Sequence, residues 1–216
     1  MPKLLIIFAL LLVPTINLEA GIKILALGDS LTEGLGVPRE NAYPRLLEEK
    51  LKEQGFDVEI INAGVSGSTS ATAYGRLQAY LNQKLDLVIL ALGANDGLRG
   101  LSLKNMEKNL SRVITLALSK DVKVILAGMK IPTNLGPDYT ESFAAVFDHL
   151  EQKHQIPRIP FLLEGVAGSK ELNISDGIHP NSKGHEIIAN NLLPILLALL
   201  EKYQFRRVND EEHSTN

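Results

Sequence analysis

The stretch IKILALGDSLTEG, residues 22–34, decides the fold. Ile22 to Leu27 is a short apolar run, partly β-branched and of strand length. Gly28 then breaks the strand, and Ser30 opens the turn beyond it. Four more runs of this kind follow, near 57–62, 86–91, 122–128 and 158–162. The segments between them repeat their apolar residues at helical spacing. Tyr43, Leu46, Leu47 and Leu51 form one such face, which Gly55 ends. Tyr74, Leu77 and Leu81 form a second, and Met106, Leu110, Val113, Ile114 and Ala117 a third. Phe143, Val146, Phe147 and Leu150 form the fourth. Ser182 can cap a last helix, which Pro194 should kink.

Strands that alternate with helices imply a parallel sheet covered on both faces. The expected architecture is therefore a three-layer α/β/α sandwich on a five-stranded parallel sheet, flavodoxin-like, in one domain over 21–205. No repeat, linker or low-complexity tract divides it.

In a parallel sheet, ligands bind just past the carboxyl ends of the strands. Ser30 stands at such an end. A serine hydroxyl is a weak nucleophile at neutral pH and needs an adjacent base, which in turn needs an orienting group. SDGIHPN, residues 175–181, supplies Asp176 and His179 in one turn bounded by Gly177 and Pro180. There the carboxylate can reach Nδ1–H of the ring and leave Nε2 for Ser30. Two further segments offer donors for an oxyanion. In NAGVSGSTS, residues 62–70, Gly67 lets a backbone N–H approach a ligand closely. In LGANDGLRG, residues 92–100, Asn95 brings a side-chain amide just past a strand end. Singly, these residues read as a helix cap, a tight turn and an Asn-Asp-Gly turn. Together they fall at strand ends or in the last long loop and compose one site.

The ordered set GDSLTEG, GVSGST, GAND and DGIHP resembles the SGNH, or GDSL, hydrolases over nearly the whole mature chain. The resemblance implies Ser30 as nucleophile, His179 as base and Asp176 as its orienter. It implies Gly67 and Asn95 as oxyanion donors beside the Ser30 N–H. The implied reaction is ester or thioester hydrolysis through an acyl-serine, with no cofactor and no metal. Ser68 departs from the pattern, since many relatives carry aspartate after the glycine. Ser30 lies outside any G-x-S-x-G elbow, which argues against the larger α/β-hydrolase fold.

Leu35, Val37, Leu98, Leu101, Ile131, Leu135 and Ile178 supply apolar loop surface, so the substrate expected is a small acyl ester or thioester. Gly97 and Gly100 bracket Leu98 and Arg99 and are read as hinges of a loop that closes over the acyl chain. A carbohydrate O-deacetylase and a non-catalytic binding protein are the rival classes. The first would prefer a polar substrate, and the second has no use for an Asp–His pair aimed at a serine. His149 and His154 read as surface residues, and a metal site from Asp176, His179 and His185 is not adopted.

The chain has 216 residues, 45% hydrophobic and 22% charged, with a formal net charge of −3 and no basic stripe for nucleic acid. It has no cysteine, which removes thiol chemistry and disulfides. Lys3, the apolar run Leu4 to Val13 and the more polar stretch ending at Ala20 read as a secretory signal over residues 1–20, and a periplasmic location follows. No stable membrane insertion is expected after cleavage, and a monomer with a mobile tail over 206–216 is.

Overall fold

The computed structural model describes residues 21–205. The signal reading and the tail lie outside them. In chain order the elements are β1 (Ile22–Gly28), α1 (Ser30–Glu33), α2 (Tyr43–Glu53), β2 (Val58–Gly64), α3 (Ala73–Tyr80) and β3 (Leu87–Ala91). Then come α4 (Ala94–Leu98), α5 (Leu103–Leu118), β4 (Lys123–Ala127), α6 (Pro137–His154), β5 (Arg158–Ile159) and α7 (Ser182–Lys202).

All strand pairs are parallel, in the order β2-β1-β3-β4-β5. Helices cover both faces, with α2 packed on α7 in one layer and α3, α5 and α6 packed together in the other. The composition of each strand follows from its place. β3 is buried at every residue and is uniformly apolar, as a strand covered on both faces requires. β2 lies at an edge and alternates, with Val58 and Ile60 buried and Glu59 exposed. β5 ends after two residues, short of the expected 158–162. Pro160 follows it and has no N–H for the ladder.

Two further expectations change in detail. Gly28 is the last residue of β1, paired with Gly64 and Ala91, and does not break it. A Cβ there would lie 1.9 Å from Thr32 Oγ1, so the return of the chain into α1 demands glycine. The last helix is capped by Asn181, whose side chain accepts from the N–H groups of Lys183 and Gly184; Ser182 is its first residue. That helix runs through Pro194 and buries Leu192, Leu196, Leu199 and Leu200. Among the described residues no helix is long and apolar enough to cross a membrane.

The strand order places the sheet's switch point between β1 and β3, where the chain turns to opposite sides. The crevice at that point opens between the loops that carry Ser30 and Asn95.

Candidate active site

Ser30 is the first residue of α1 and follows β1 by a single residue, Asp29. Asp29 caps the helix, its Oδ1 accepting from the Leu31 N–H at 3.1 Å. Its neighbours hold this turn tightly. The Arg76 guanidinium donates to the carbonyl of Gly28 at 2.8 Å and also to that of Ala63. The Asn62 amide donates to the Thr32 carbonyl at 2.8 Å. Glu33 accepts from the backbone and hydroxyl of Ser66. Ser30 is consequently buried, with 7% of its surface accessible.

His179 comes from a turn on the other side of the crevice. A short antiparallel bridge between Asn173 and Pro180 closes that turn, and the Ile174 N–H donates to the His179 carbonyl at 2.8 Å. Asp176 Oδ1 accepts from the N–H groups of Ile178 and His179, both at 3.0 Å. Its Oδ2 is 2.6 Å from His179 Nδ1, and His179 Nε2 is 2.8 Å from Ser30 Oγ. A carboxylate can only accept, so Nδ1 carries the hydrogen and the neutral ring presents a bare Nε2 to the serine hydroxyl. The Ile178 N–H, followed by the His179 ring and backbone, lowers the Asp176 pKa to about 2. The carboxylate is thus ionised throughout the neutral range.

Asn95 lies in α4, half-buried, and its Nδ2 donates to Asp29 Oδ2 at 3.3 Å. Burial pushes the Asp29 pKa up to about 6; the Leu31 N–H, the Asn95 amide and nearby His179 pull the other way. Gly67 is exposed with φ +74°, a conformation that favours glycine. Its carbonyl accepts from Arg99 Nη2 at 3.0 Å. Ser68, the residue that departs from the family pattern, is buried beside it.

A cavity of about 270 Å³ opens from Ser30 and His179. Leu98, Ile131 and Ile178 line it, but Leu101 and Leu135 do not, and neither do Leu35 and Val37. Leu101 and Leu135 are exposed outside the groove, and the Leu101 carbonyl accepts from the Tyr139 hydroxyl at 2.9 Å. Met129, Phe161 and Leu163 take their place in the lining. All three sit within a few residues of the carboxyl ends of β4 and β5, the signal by which the sequence reveals them. Asp29 also lines the cavity, a position that the sequence reading omits. Its signal is a carboxylate set between a strand-ending glycine and the candidate nucleophile.

Gly97 corrects the hinge reading. It is buried inside α4, where a Cβ would come within 2.5 Å of Phe143 Cε2 and 2.9 Å of Ile131 Cγ2. Close packing fixes this glycine, whereas Gly100 does adopt positive φ, at +62°. His154 is half-buried, with Nε2 2.8 Å from Ser111 Oγ, so of the pair expected at the surface His149 alone is exposed. His185 is fully buried, its Nδ1 accepting from the Tyr43 N–H at 3.3 Å, and burial lowers its pKa to about 4.

A serine, a histidine and a carboxylate in hydrogen-bonded sequence, beside an amide donor and an apolar groove, are equipped for acyl transfer. The chain belongs to the GDSL-like lipase/acylhydrolase family, whose sequence model matches residues 26–187. It is an enzyme that hydrolyses carboxylic ester or thioester bonds. Among its relatives is the esterase TesA of Pseudomonas aeruginosa, 36% identical over 178 residues, which span 82% of this chain and 89% of that one. Another is the Escherichia coli thioesterase 1/protease 1/lysophospholipase L1, 33% identical over 184 residues, with 85% and 87% covered. The crystal structure of the psychrotrophic esterase EstA from Pseudoalteromonas sp., inhibited by monoethylphosphonate, is 33% identical. It superposes with a TM-score of 0.79 over 83% of this chain and 98% of that one.

Proposed function

We propose that the enzyme cleaves acyl esters and thioesters through a covalent acyl-serine formed on Ser30. His179 takes the Ser30 proton as Oγ attacks the carbonyl, then returns it to the leaving alcohol or thiol. In the second half it activates water against the acyl-enzyme. Asp176 holds the ring in the Nδ1–H tautomer and stabilises the imidazolium. The Ser30 N–H, the Gly67 N–H and Asn95 Nδ2 donate to the oxyanion of each tetrahedral intermediate. The observation that carries this reading is the unbroken chain Ser30 Oγ, His179 Nε2, His179 Nδ1, Asp176 Oδ2, with contacts of 2.8 and 2.6 Å. The phosphonate inhibition named for the Pseudoalteromonas esterase supports a nucleophilic serine here.

The substrate is an acyl ester or thioester of the kind that arylesterases, thioesterases and lysophospholipases handle. Met129, Ile131, Phe161 and Leu163 give the groove an apolar wall suited to an alkyl chain. Export through the signal at residues 1–20, a periplasmic location and a monomeric state complete the proposal. A panel of p-nitrophenyl esters and acyl-CoA thioesters of graded length tests it. Activity should rise with acyl length until the groove is full. A preference for acetyl esters would favour the carbohydrate deacetylase instead.

A further inference from the structure

Two segments that supply oxyanion donors in the proposed mechanism belong to different parts of the sheet. Gly67 follows β2 and Asn95 follows β3, with β1 between them. An oxyanion hole works only if its donors keep a fixed separation, so something must set it. The residue after Asn95 and the third residue after Gly67 meet in the interior. Asp96 Oδ2 accepts from the Ser70 N–H at 2.8 Å, and Asp96 Oδ1 accepts from the Ser70 hydroxyl at 2.7 Å. Asn109 of α5 donates from Nδ2 to Ser70 Oγ at 3.1 Å, which anchors the pair to a long core helix. Asp96 and Ser70 are 4% and 1% accessible. The Asp96 carbonyl also accepts from the Leu101 N–H at 3.0 Å, fixing the exit of α4.

We propose that Asp96 is a positioning residue: its bidentate grip on Ser70 sets the distance between Gly67 and Asn95 and so the geometry of the oxyanion hole. The proposal rests on the reading of those two residues as oxyanion donors. A buried carboxylate needs its partners, and here both oxygens find them on the opposite segment, so the clamp is directional as well as strong. Release lets the Gly67 loop, otherwise tied to α4 by the exposed Arg99, drift relative to Asn95. The drift weakens the transition state and leaves ester binding in the apolar groove unchanged.

The test is a double-mutant cycle of Asp96→Asn with Asn95→Ala, read as kcat and KM on one p-nitrophenyl ester. Asp96→Asn keeps the shape and removes one of the two acceptors. It should lower kcat by about tenfold or more with KM nearly constant, since misplacement of about 1 Å can cost on the order of a hundredfold. In the Asn95→Ala background the same change should cost clearly less in kcat, because the separation of the two donors no longer matters there. Ser70→Ala, which deletes one arm and retains the backbone N–H, should show the same non-additivity at smaller size. It decides the matter if Asp96→Asn folds poorly. Full additivity of Asp96→Asn with Asn95→Ala, or a loss of melting temperature with kcat intact, overturns the clamp alone. An Asn95→Ala enzyme with normal kcat overturns the oxyanion reading itself, and the clamp with it.

Discussion

The half of the site that carries Ser30 is buried, and the half that carries Asp176 and His179 is a surface turn. Ser30 stands at the end of a central strand, and the turn around it is gripped at Gly28 by Arg76, at Thr32 by Asn62 and at Glu33 by Ser66. The Asp176 turn is shaped by its own hydrogen bonds, and 39% of the Asp176 side chain remains accessible. The proposed nucleophile is therefore placed by the packed sheet, and the proposed base by a short loop that closes on itself. Substitutions in the first region should move stability as well as activity wherever a buried charge or a packed side chain is touched, the small Ser30 hydroxyl excepted. Those in the second should move activity almost alone.

The largest effect belongs to the residue where the two halves meet. Ser30→Ala should reduce turnover by about 10⁶-fold if the three side chains act as a unit. Loss of one hydroxyl should leave the melting temperature nearly unchanged. Purified variant assayed beside wild type, with a thermal melt of each, checks both statements.

Asp176→Asn probes the exposed half. It should lower kcat by roughly 10³–10⁴, because the amide favours the wrong tautomer of His179. Stability at neutral pH should change by less than about 1 kcal/mol, as for other solvent-exposed sites. A variant that loses stability as severely as activity would erase the distinction between the two regions.

Asp29→Asn probes the buried half through pH. The Asp29 pKa is about 6 in the fold and 3.8 as an ordinary carboxyl, so the folded state binds its proton more tightly than the unfolded one. A raised carboxyl pKa makes folding less favourable as pH rises through that window. Wild type should therefore lose stability relative to Asp29→Asn between pH 4 and 6, with no further change above. The full difference is at most about 3 kcal/mol, from 1.36 kcal/mol per pKa unit. Chemical denaturation of both proteins at pH 4, 5, 6 and 7 measures it, and a gap independent of pH would contradict the assignment.

The smallest effect concerns the groove that both halves open onto. Each methylene buried is worth about 0.8 kcal/mol, close to fourfold in kcat/KM. Leu98 is exposed at the groove's edge, with 46% of its surface accessible. Leu98→Ser should flatten the rise in kcat/KM with acyl length and leave acetyl esters nearly untouched. Equal slowing at all lengths would instead mean that Leu98 supports α4 and, through it, Asn95.

Much of this arrangement is legible in the sequence because strand ends are. Ser30, Gly67 and Asn95 each follow an apolar run closely, and a parallel sheet brings such positions to one edge. Asp176 and His179 are three residues apart, so their mutual contact is local. What the sequence conceals is contact between distant loops. Leu101 and Leu135 are as apolar as Leu98 and Ile131, and only the folded arrangement of their loops separates lining from surface. Gly97 looks like a hinge until the aromatic ring pressed against it is visible. The bond from Asp96 to Ser70 joins residues 26 apart that no local pattern relates. His154 reads as solvent-exposed until Ser111 of the adjacent helix is placed beside it.

The central claim is that Ser30 is the nucleophile, activated by the His179–Asp176 pair. The most direct measurement is reaction of the whole protein with a fluorophosphonate probe, followed by mass spectrometry of the digested adduct. One adduct per chain, on the peptide that carries Ser30, is the result expected. Ser30→Ala should stay unlabelled, and His179→Gln should react far more slowly. Labelling that persists in Ser30→Ala, or an adduct on any other residue of wild type, would contradict the account.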